Sequence, residues 1–307
     1  MSEPSVERFH GRSFANRVAT ALAATRPAFL TASVLPVLAS GALSASLARG
    51  PISLPLLALA VIGIALVHSG ANVLNDYFDS RSGNDAVNTG RVFPFSGGSR
   101  FIQNGVLSEA QALRLGSGLI GAGALLGLCL VAIGGTALLA IGAIGIALAV
   151  TYSSPPCLAC RGLGDAVIAL CFGVLPVAGT SVLLTGAVPH EAWWLAAGLG
   201  CFVAAILWAN SIPDIEADRA AGKLTLPARL GQHRASLVLS LWFVAGFAAL
   251  LGSPLPGATW AVLVAALPAF MASRAALAGQ IPEALPATIL THAMVGVVVT
   301  LSLAFAA

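Results

Sequence analysis

Residues 75–85, NDYFDSRSGND, place Asn75, Asp76, Asp79 and Asp85 within eleven positions of a chain in which only 9% of residues are charged. Asn75 and Asp79 are four apart and Asp76 and Asp79 three apart, so a helix through them would bring all three to one face. Gly83 is expected to end that helix and let Asp85 fold back toward the same side. Three carboxylates and an amide would then converge on one point. Clustered carboxylates raise one another's pKa values unless a cation lies among them. Oxygen donors without histidine or thiolate favour a hard ion, and Mg2+ typically takes one or two carboxylates together with substrate phosphate oxygens. Solvation of a short acidic loop is the alternative reading of this stretch taken alone.

A second cluster decides between them. Residues 214–234, DIEADRAAGKLTLPARLGQHR, open with Asp214 and Asp218, again four apart, and continue to Lys223, Arg229 and Arg234. Asp76, Asp79, Asp85, Asp214, Glu216 and Asp218, half of the 12 acidic residues, fall in these two segments. Two acidic faces, each followed by cations, suit a diphosphate. Metal ions held by the aspartates would bridge its oxygens, while Lys223 and one or more arginines offset the remaining charge.

The elements that must position these groups are membrane helices. A hydrophobic content of 58%, 33 glycines and a mean hydropathy of +0.92 exclude an ordinary soluble domain. A span needs about 20 apolar residues, and nine candidates are found near 28–48, 53–74, 115–133, 136–153, 165–186, 191–213, 235–252, 257–278 and 284–306. Residues 1–26 are polar, carry Arg8, Arg12, Arg17 and Arg26, and lack a cleavable signal pattern. They are expected to be a cytoplasmic extension, followed by one transmembrane domain over 27–307. With the N-terminus in the cytoplasm, every basic residue except Arg49 falls on that side, fourteen of the 15. The positive-inside rule then puts the acidic loops in the cytoplasm, the C-terminus outside and the protein in the cell (inner) membrane as a multi-pass protein. Anionic lipid accounts for the net charge of +3, and no nucleic-acid partner is expected.

Other polar residues are read conservatively. Cys129, Cys171 and Cys201 lie in apolar spans and are expected to pack as small hydrophobes. Cys157 and Cys160 form a lone CxxC with no second pair or histidine to complete a metal site. His68 is expected to hydrogen-bond a neighbouring helix, with contact to a ligand as the competing reading. Asn72 and Asn210 precede Asp76 and Asp214 by one turn and should line a cavity mouth. Gly116, Gly118, Gly121 and Gly123 should allow close helix packing. Trp193 and Trp194 fall where an outer aromatic belt belongs.

ANVLNDYFDSRSGND (71–85) and DIEADRAAGKLTLPARLG (214–231) resemble the two signature motifs of the UbiA superfamily of intramembrane aromatic prenyltransferases. PFSGGSRFIQNGVLS (94–108) and GLGDAVIALCFGVLPVAG (162–179) are similar to stretches typical of its 1,4-dihydroxy-2-naphthoate polyprenyltransferase branch. The resemblance extends over roughly residues 25–300. It implies an all-α membrane protein with about nine transmembrane helices around a laterally open cavity. It also implies a first magnesium-diphosphate site at Asn75, Asp76, Asp79 and Asp85 and a second at Asp214 and Asp218, with Lys223 on phosphate. Asp79, Asp214 and Asp218 are the expected catalytic residues, and Arg81 and Arg229 further substrate contacts. Many members carry a lysine four residues after a tyrosine that follows the fourth span; here Tyr152 is followed by Pro156. Either Arg161 supplies that cation or the site works without it, and Tyr152 is either a site residue or an interfacial one. Arg100 could clamp an acceptor carboxylate with two parallel hydrogen bonds, or meet lipid headgroups instead.

The implied activity is magnesium-dependent transfer of a polyprenyl group from its diphosphate to an aromatic acceptor. For 1,4-dihydroxy-2-naphthoate, carbon dioxide is lost and a demethylmenaquinone results; 4-hydroxybenzoate, homogentisate or another lipid acceptor is the alternative. A secondary transporter would carry carboxylates near the bilayer midplane on broken helices, whereas these lie at helix ends. A membrane protein holding a divalent ion only structurally is the third reading. A CDP-alcohol phosphotransferase is set aside because its characteristic run of aspartates is missing.

Overall fold

In the structure, a computed structural model, residues 2–9, 11, 13–48 and 51–307 are described. Arg12 and Arg49, two of the basic residues counted in the charge asymmetry, lie outside the described residues. All regular structure among the described residues is helical. The chain runs through α1 (Phe14–Ala24), α2 (Thr31–Ala48), α3 (Leu54–Arg81), the short α4 (Asn84–Val87), α5 (Glu109–Thr151), α6 (Gly164–Ala169), α7 (Leu175–Thr185) and α8 (His190–Ser211). After the second acidic segment, α9 (Ile215–Ala220) and α10 (Leu226–Leu230) lead into α11 (Gln232–Leu251), α12 (Ala258–Leu277) and α13 (Ile281–Phe305).

Among the described residues, eight helical stretches are long and apolar enough to cross a membrane. Nine were expected, and the difference lies in the longest of the eight. Helix α5 has 43 residues, about 65 Å if straight, roughly twice the hydrocarbon thickness of a bilayer. It breaks at Gly135, whose φ of 72° and ψ of −167° are not helical. Glycine tolerates that conformation where a side chain would be strained. The break separates 109–134 from 136–151, close to the boundaries expected from hydropathy. Farther on, Pro176 has no N–H to offer the turn before it, and a wide π turn at Leu170–Val174 joins α6 to α7 as one crossing.

The helices close into a ring. Helix α3 packs along α5, α8 along α11, α12 along α13, and α13 returns to α2. Small side chains carry much of this: Ala261, Ala265, Ala269 and Ala272 on α12 are buried, as are Ala204, Ala205 and Ala209 on α8. Small residues let backbones approach where lipid offers no hydrophobic drive for helix association. Of the four glycines expected at packing positions, Gly116 and Gly123 fit, since a Cβ would meet Leu74 at 2.9 Å and Val67 at 2.6 Å. Gly118 and Gly121 face open space instead. Large exposed apolar side chains such as Leu125, Leu241, Leu263, Leu267 and Phe270 cover the outside of the ring. This is a multi-pass membrane protein. Trp193 and Trp194 lie at the start of α8, about 30 Å along the helix from its Asp214 end.

Candidate active site

Helix α3 projects past the apolar zone and carries its polar face to the end of the bundle. Asn75 and Asp79, one turn apart, are joined there by a hydrogen bond from Asn75 Nδ2 to Asp79 Oδ2 at 3.0 Å. The same amide donates to Ser153 Oγ at 2.9 Å, just beyond α5. Gly83 ends the helix with φ at 77°, and α4 then turns Asp85 back as expected. From the other half of the chain, Asp214 caps the start of α9, Asp218 lies within it, and Lys223 returns toward α3.

The two halves interlock through complementary pairs. Lys223 Nζ donates to Asp79 Oδ1 and Oδ2, both at 3.0 Å, and lies 3.9 Å from Asp218 Oδ1. Asn84 Nδ2 donates to Asp218 Oδ1 at 3.0 Å, and Asn88 Nδ2 donates to Asp214 Oδ1 at 2.7 Å. Thr225 Oγ1 donates to Asp218 Oδ2 at 3.0 Å, and Gly97 N donates to Asp214 Oδ2 at 3.3 Å. Together with Asp85 these groups enclose a polar chamber of about 100 Å3.

The carboxylates therefore surround a chamber rather than converge on one point, and among the described residues no three of them form a metal-binding group. Asp76 departs most from expectation. About 100° of helix rotation separates it from Asn75, so it lines neither this chamber nor the next. Instead both its oxygens accept from Ser99 N at 3.2 Å, anchoring the 94–100 loop. Gly98 makes that approach possible, with φ at 74° and a position where a Cβ would lie 2.9 Å from Asp76 Oδ1.

The donor set fits a hard divalent cation. The amide nitrogens of Asn84 and Asn88 are committed to carboxylates, so the oxygens of both are left buried without partners, as is Asn210 Oδ1. Unpaired buried acceptors are costly to leave unmade, and all three residues line the polar chamber. Carboxyl acidity carries the same signature. Burial, with Asp79 and Asp76 nearby, pushes Asp85 up to about 8. Burial raises Asp214 and takes Asp218 to about 6. Burial lowers Lys223, but Asp79 and Asp218 outweigh it and raise it above its ordinary value, favouring the charged ammonium.

Next to the polar chamber lies a larger apolar one, about 320 Å3, walled by α2, α3, α5, α7 and α8. Arg26, Asn75, Tyr152 and Asn210 line both. Asn72 and Asn210 line the apolar chamber, as expected for the cavity mouth. Tyr152 thus belongs to the junction of the two chambers and is not a lipid-facing residue, and burial raises its hydroxyl above the ordinary range.

Four expected substrate contacts lie elsewhere. Arg81 is exposed and stacks on Tyr77 with its guanidinium 6.0 Å from the ring centroid. Arg229 is exposed and donates to Leu224 O and Arg161 O, both at 2.9 Å, and Arg161 is exposed as well. Arg100 is buried, and its Nη1 donates to Asp85 O at 2.8 Å. A guanidinium engaged this way supports the backbone behind Asp85 and offers no clamp into either chamber. Cys157 and Cys160 are joined as a disulfide in the loop after Tyr152.

Arg26 was not singled out by sequence reasoning beyond its charge. It precedes Pro27 with φ at 57°, its Nη2 donates to Phe95 O at 2.9 Å, and its guanidinium lies 4.5 Å from the Phe29 ring centroid. Asn84 and Asn88 were equally invisible. Their only signal was an unusual density of asparagine beside the aspartates.

The ring of membrane helices thus holds a carboxylate- and amide-lined polar chamber next to an apolar one. Comparison with known proteins gives the family: residues 33–305 match the UbiA prenyltransferase family, and the chain belongs to it. It is 33% identical over 235 residues to a 1,4-dihydroxy-2-naphthoate octaprenyltransferase of Mycobacterium tuberculosis, covering 75% of this chain and 77% of that protein. It is 31% identical over 218 residues, 68% of this chain, to UbiA prenyltransferase domain-containing protein 1 of Dictyostelium discoideum, of whose length the match spans 63%. The fold is similar to that of a UbiA homologue from Archaeoglobus fulgidus bound to GPP and Mg2+, with TM-score 0.61 and 15% identity, covering 94% of this chain and 98% of the other.

Proposed function

We propose that this protein transfers a polyprenyl group from polyprenyl diphosphate to an aromatic acceptor, 1,4-dihydroxy-2-naphthoate, in a magnesium-dependent reaction at the cytoplasmic face of the cell membrane. The observation that carries the reading is the continuity of the two chambers through Arg26, Asn75, Tyr152 and Asn210. An amphiphile with a diphosphate head and an isoprenoid tail matches that division of polarity.

Asp79, Asp85, Asp214 and Asp218, with the free oxygens of Asn84, Asn88 and Asn210, are the groups that would hold magnesium. When bound, the metal supplies neutralising charge to the leaving diphosphate. Lys223 and Arg26 add fixed positive charge around the same head group. The apolar walls keep water from the allylic centre once the carbon–oxygen bond breaks, so the electron-rich ring of the acceptor captures it. The choice of acceptor is supported by the names of relatives at about 30% identity. Its test is competition: purified protein given equal 1,4-dihydroxy-2-naphthoate, 4-hydroxybenzoate and homogentisate should prenylate the naphthoate first, and preference for either other acid would overturn the assignment.

A further inference from the structure

His68 is 7% exposed, and its ring lines the apolar chamber. The expected hydrogen bond to a neighbouring helix is present: His68 Nδ1 lies 2.9 Å from Ser33 Oγ on α2. That contact bears on the tautomer. Ser33 has a single hydroxyl proton, and its Oγ donates to Leu30 O at 3.1 Å. With that proton committed to Leu30 O, the serine oxygen would accept from His68, which would put the ring proton on Nδ1. In the neutral ring Nε2 then carries a lone pair, and it has no partner among the described residues. Phe172, also on the chamber wall, packs edge-on against the imidazole with centroids 4.6 Å apart, restricting its rotation.

Position along α3 gives the lone pair a use. His68, Asn72, Asn75 and Asp79 follow one another at spacings of four, three and four, on one helical face. His68 and Asn75 are seven positions apart, about 10 Å along the axis. An aromatic ring placed beside the reacting carbon of a diphosphate held at Asn75 and Asp79 would bring the hydroxyl next to its attacking carbon to the imidazole side of the chamber. We infer that His68 Nε2 accepts a hydrogen bond from the hydroxyl of the aromatic acceptor and orients its ring, with Ser33 fixing the tautomer that makes this possible. The inference rests on the proposed function and adds the residue that reads the acceptor. A buried acceptor atom built for a hydroxyl discriminates against an analogue lacking it, because the protein group is then left unpaired.

The test is inhibitor binding to the purified full-length protein. In the wild type, 1-hydroxy-2-naphthoate should inhibit prenyl transfer about tenfold more tightly than 2-naphthoate. In His68→Leu that ratio should fall below about two, with the KM for polyprenyl diphosphate within about twofold of the wild type. His68→Gln, which returns an acceptor oxygen near the Nε2 position, should recover part of the ratio, and Ser33→Ala should reduce it with His68 still present. A tenfold ratio that survives in both His68→Leu and Ser33→Ala would overturn the assignment of His68 while leaving the prenyltransferase reading intact. A wild type that releases diphosphate but binds neither naphthoate would overturn both the aromatic acceptor and this inference. Should His68→Leu not fold, 15N-histidine spectra of the wild type decide: a protonated Nε2 at His68, or no change there on adding 1-hydroxy-2-naphthoate, would contradict it.

Discussion

Lys223 Nζ sits 3.0 Å from both carboxylate oxygens of Asp79, a residue 144 positions earlier in the chain. The contact joins the two acidic segments directly and engages the carboxylate that magnesium would need. Ammonium and metal ion would therefore compete for Asp79, and a bound diphosphate would offer Lys223 oxygens of its own. Lys223→Met should tighten magnesium binding measured without substrate and lower kcat/KM for polyprenyl diphosphate by about a hundredfold, ~2.7 kcal/mol of transition-state stabilisation. Isothermal titration paired with steady-state kinetics checks both directions, and weaker magnesium binding in the variant would contradict the competition.

Asp79→Ala and Asp214→Ala should each reduce turnover by about a thousandfold or more, ~4 kcal/mol, because each removes a carboxylate that would hold magnesium against the diphosphate. Both should insert and remain folded, since neither residue belongs to the apolar core. Near-normal activity in folded Asp79→Ala would remove the two-sided site. Asp76→Ala should instead act through the 94–100 loop, with its main loss in loop order measured by hydrogen exchange at Ser99.

The carboxyl of Asp85, raised to about 8, gives stability a pH dependence. Its proton is retained in the folded, metal-free protein up to about that pH, whereas in the unfolded chain it leaves near 4. This contribution is full below about pH 4 and is lost as pH rises through about 8. Asp218, at about 6, adds the same sign at lower pH. Metal-free protein should lose thermal stability between about pH 4 and pH 8, and magnesium should restore most of it. Melting curves with and without magnesium decide, and identical pH profiles would count against a cation at these residues.

Gly127 and Gly142 line the apolar chamber, and a Cβ added at either meets nothing within 4 Å. These glycines leave volume open where other glycines of α5 bring helices together. Gly142 lies ten residues before Tyr152, about 15 Å along the helix. Gly142→Leu should leave short prenyl donors unaffected and lower kcat/KM for long ones about tenfold, as measured across a series of chain lengths. Equal loss for every length would place the isoprenoid elsewhere.

The hydrogen bond from Asn84 to Asp218 requires both acidic segments on one side of the membrane. In a background lacking the five native cysteines, Ala86→Cys and Ala220→Cys should label from the cytoplasm and Ala306→Cys from the outside. Labels at 86 and 220 from opposite faces would refute the topology.

Much of this was legible in the sequence for physical reasons. Span length follows from bilayer thickness, and carboxylates at helical spacing stand out in so apolar a chain. The sequence also pointed to Lys223 as a partner of the site. Side-chain direction was less visible. Asp76 and Asp79 are three apart, yet helix rotation sends Asp76 to the loop and Asp79 to the chamber. Arg100 looked free because its partner is the backbone carbonyl of Asp85, which no residue pattern records. Arg26 looked like a topological charge, and only the folded ring shows it between the chambers. The break at Gly135 was anticipated as a loop between two spans and proved to be a single non-helical residue within a continuous run.

The most direct measurement is release of diphosphate coupled to mass spectrometry of the organic product. Purified protein with a polyprenyl diphosphate and 1,4-dihydroxy-2-naphthoate should release one equivalent of diphosphate per prenylated, decarboxylated naphthalene product. Chelation of magnesium should stop both, and its return should restore both. Diphosphate release that is indifferent to magnesium, or no prenylated product with any of the three aromatic acids, would contradict the central claim.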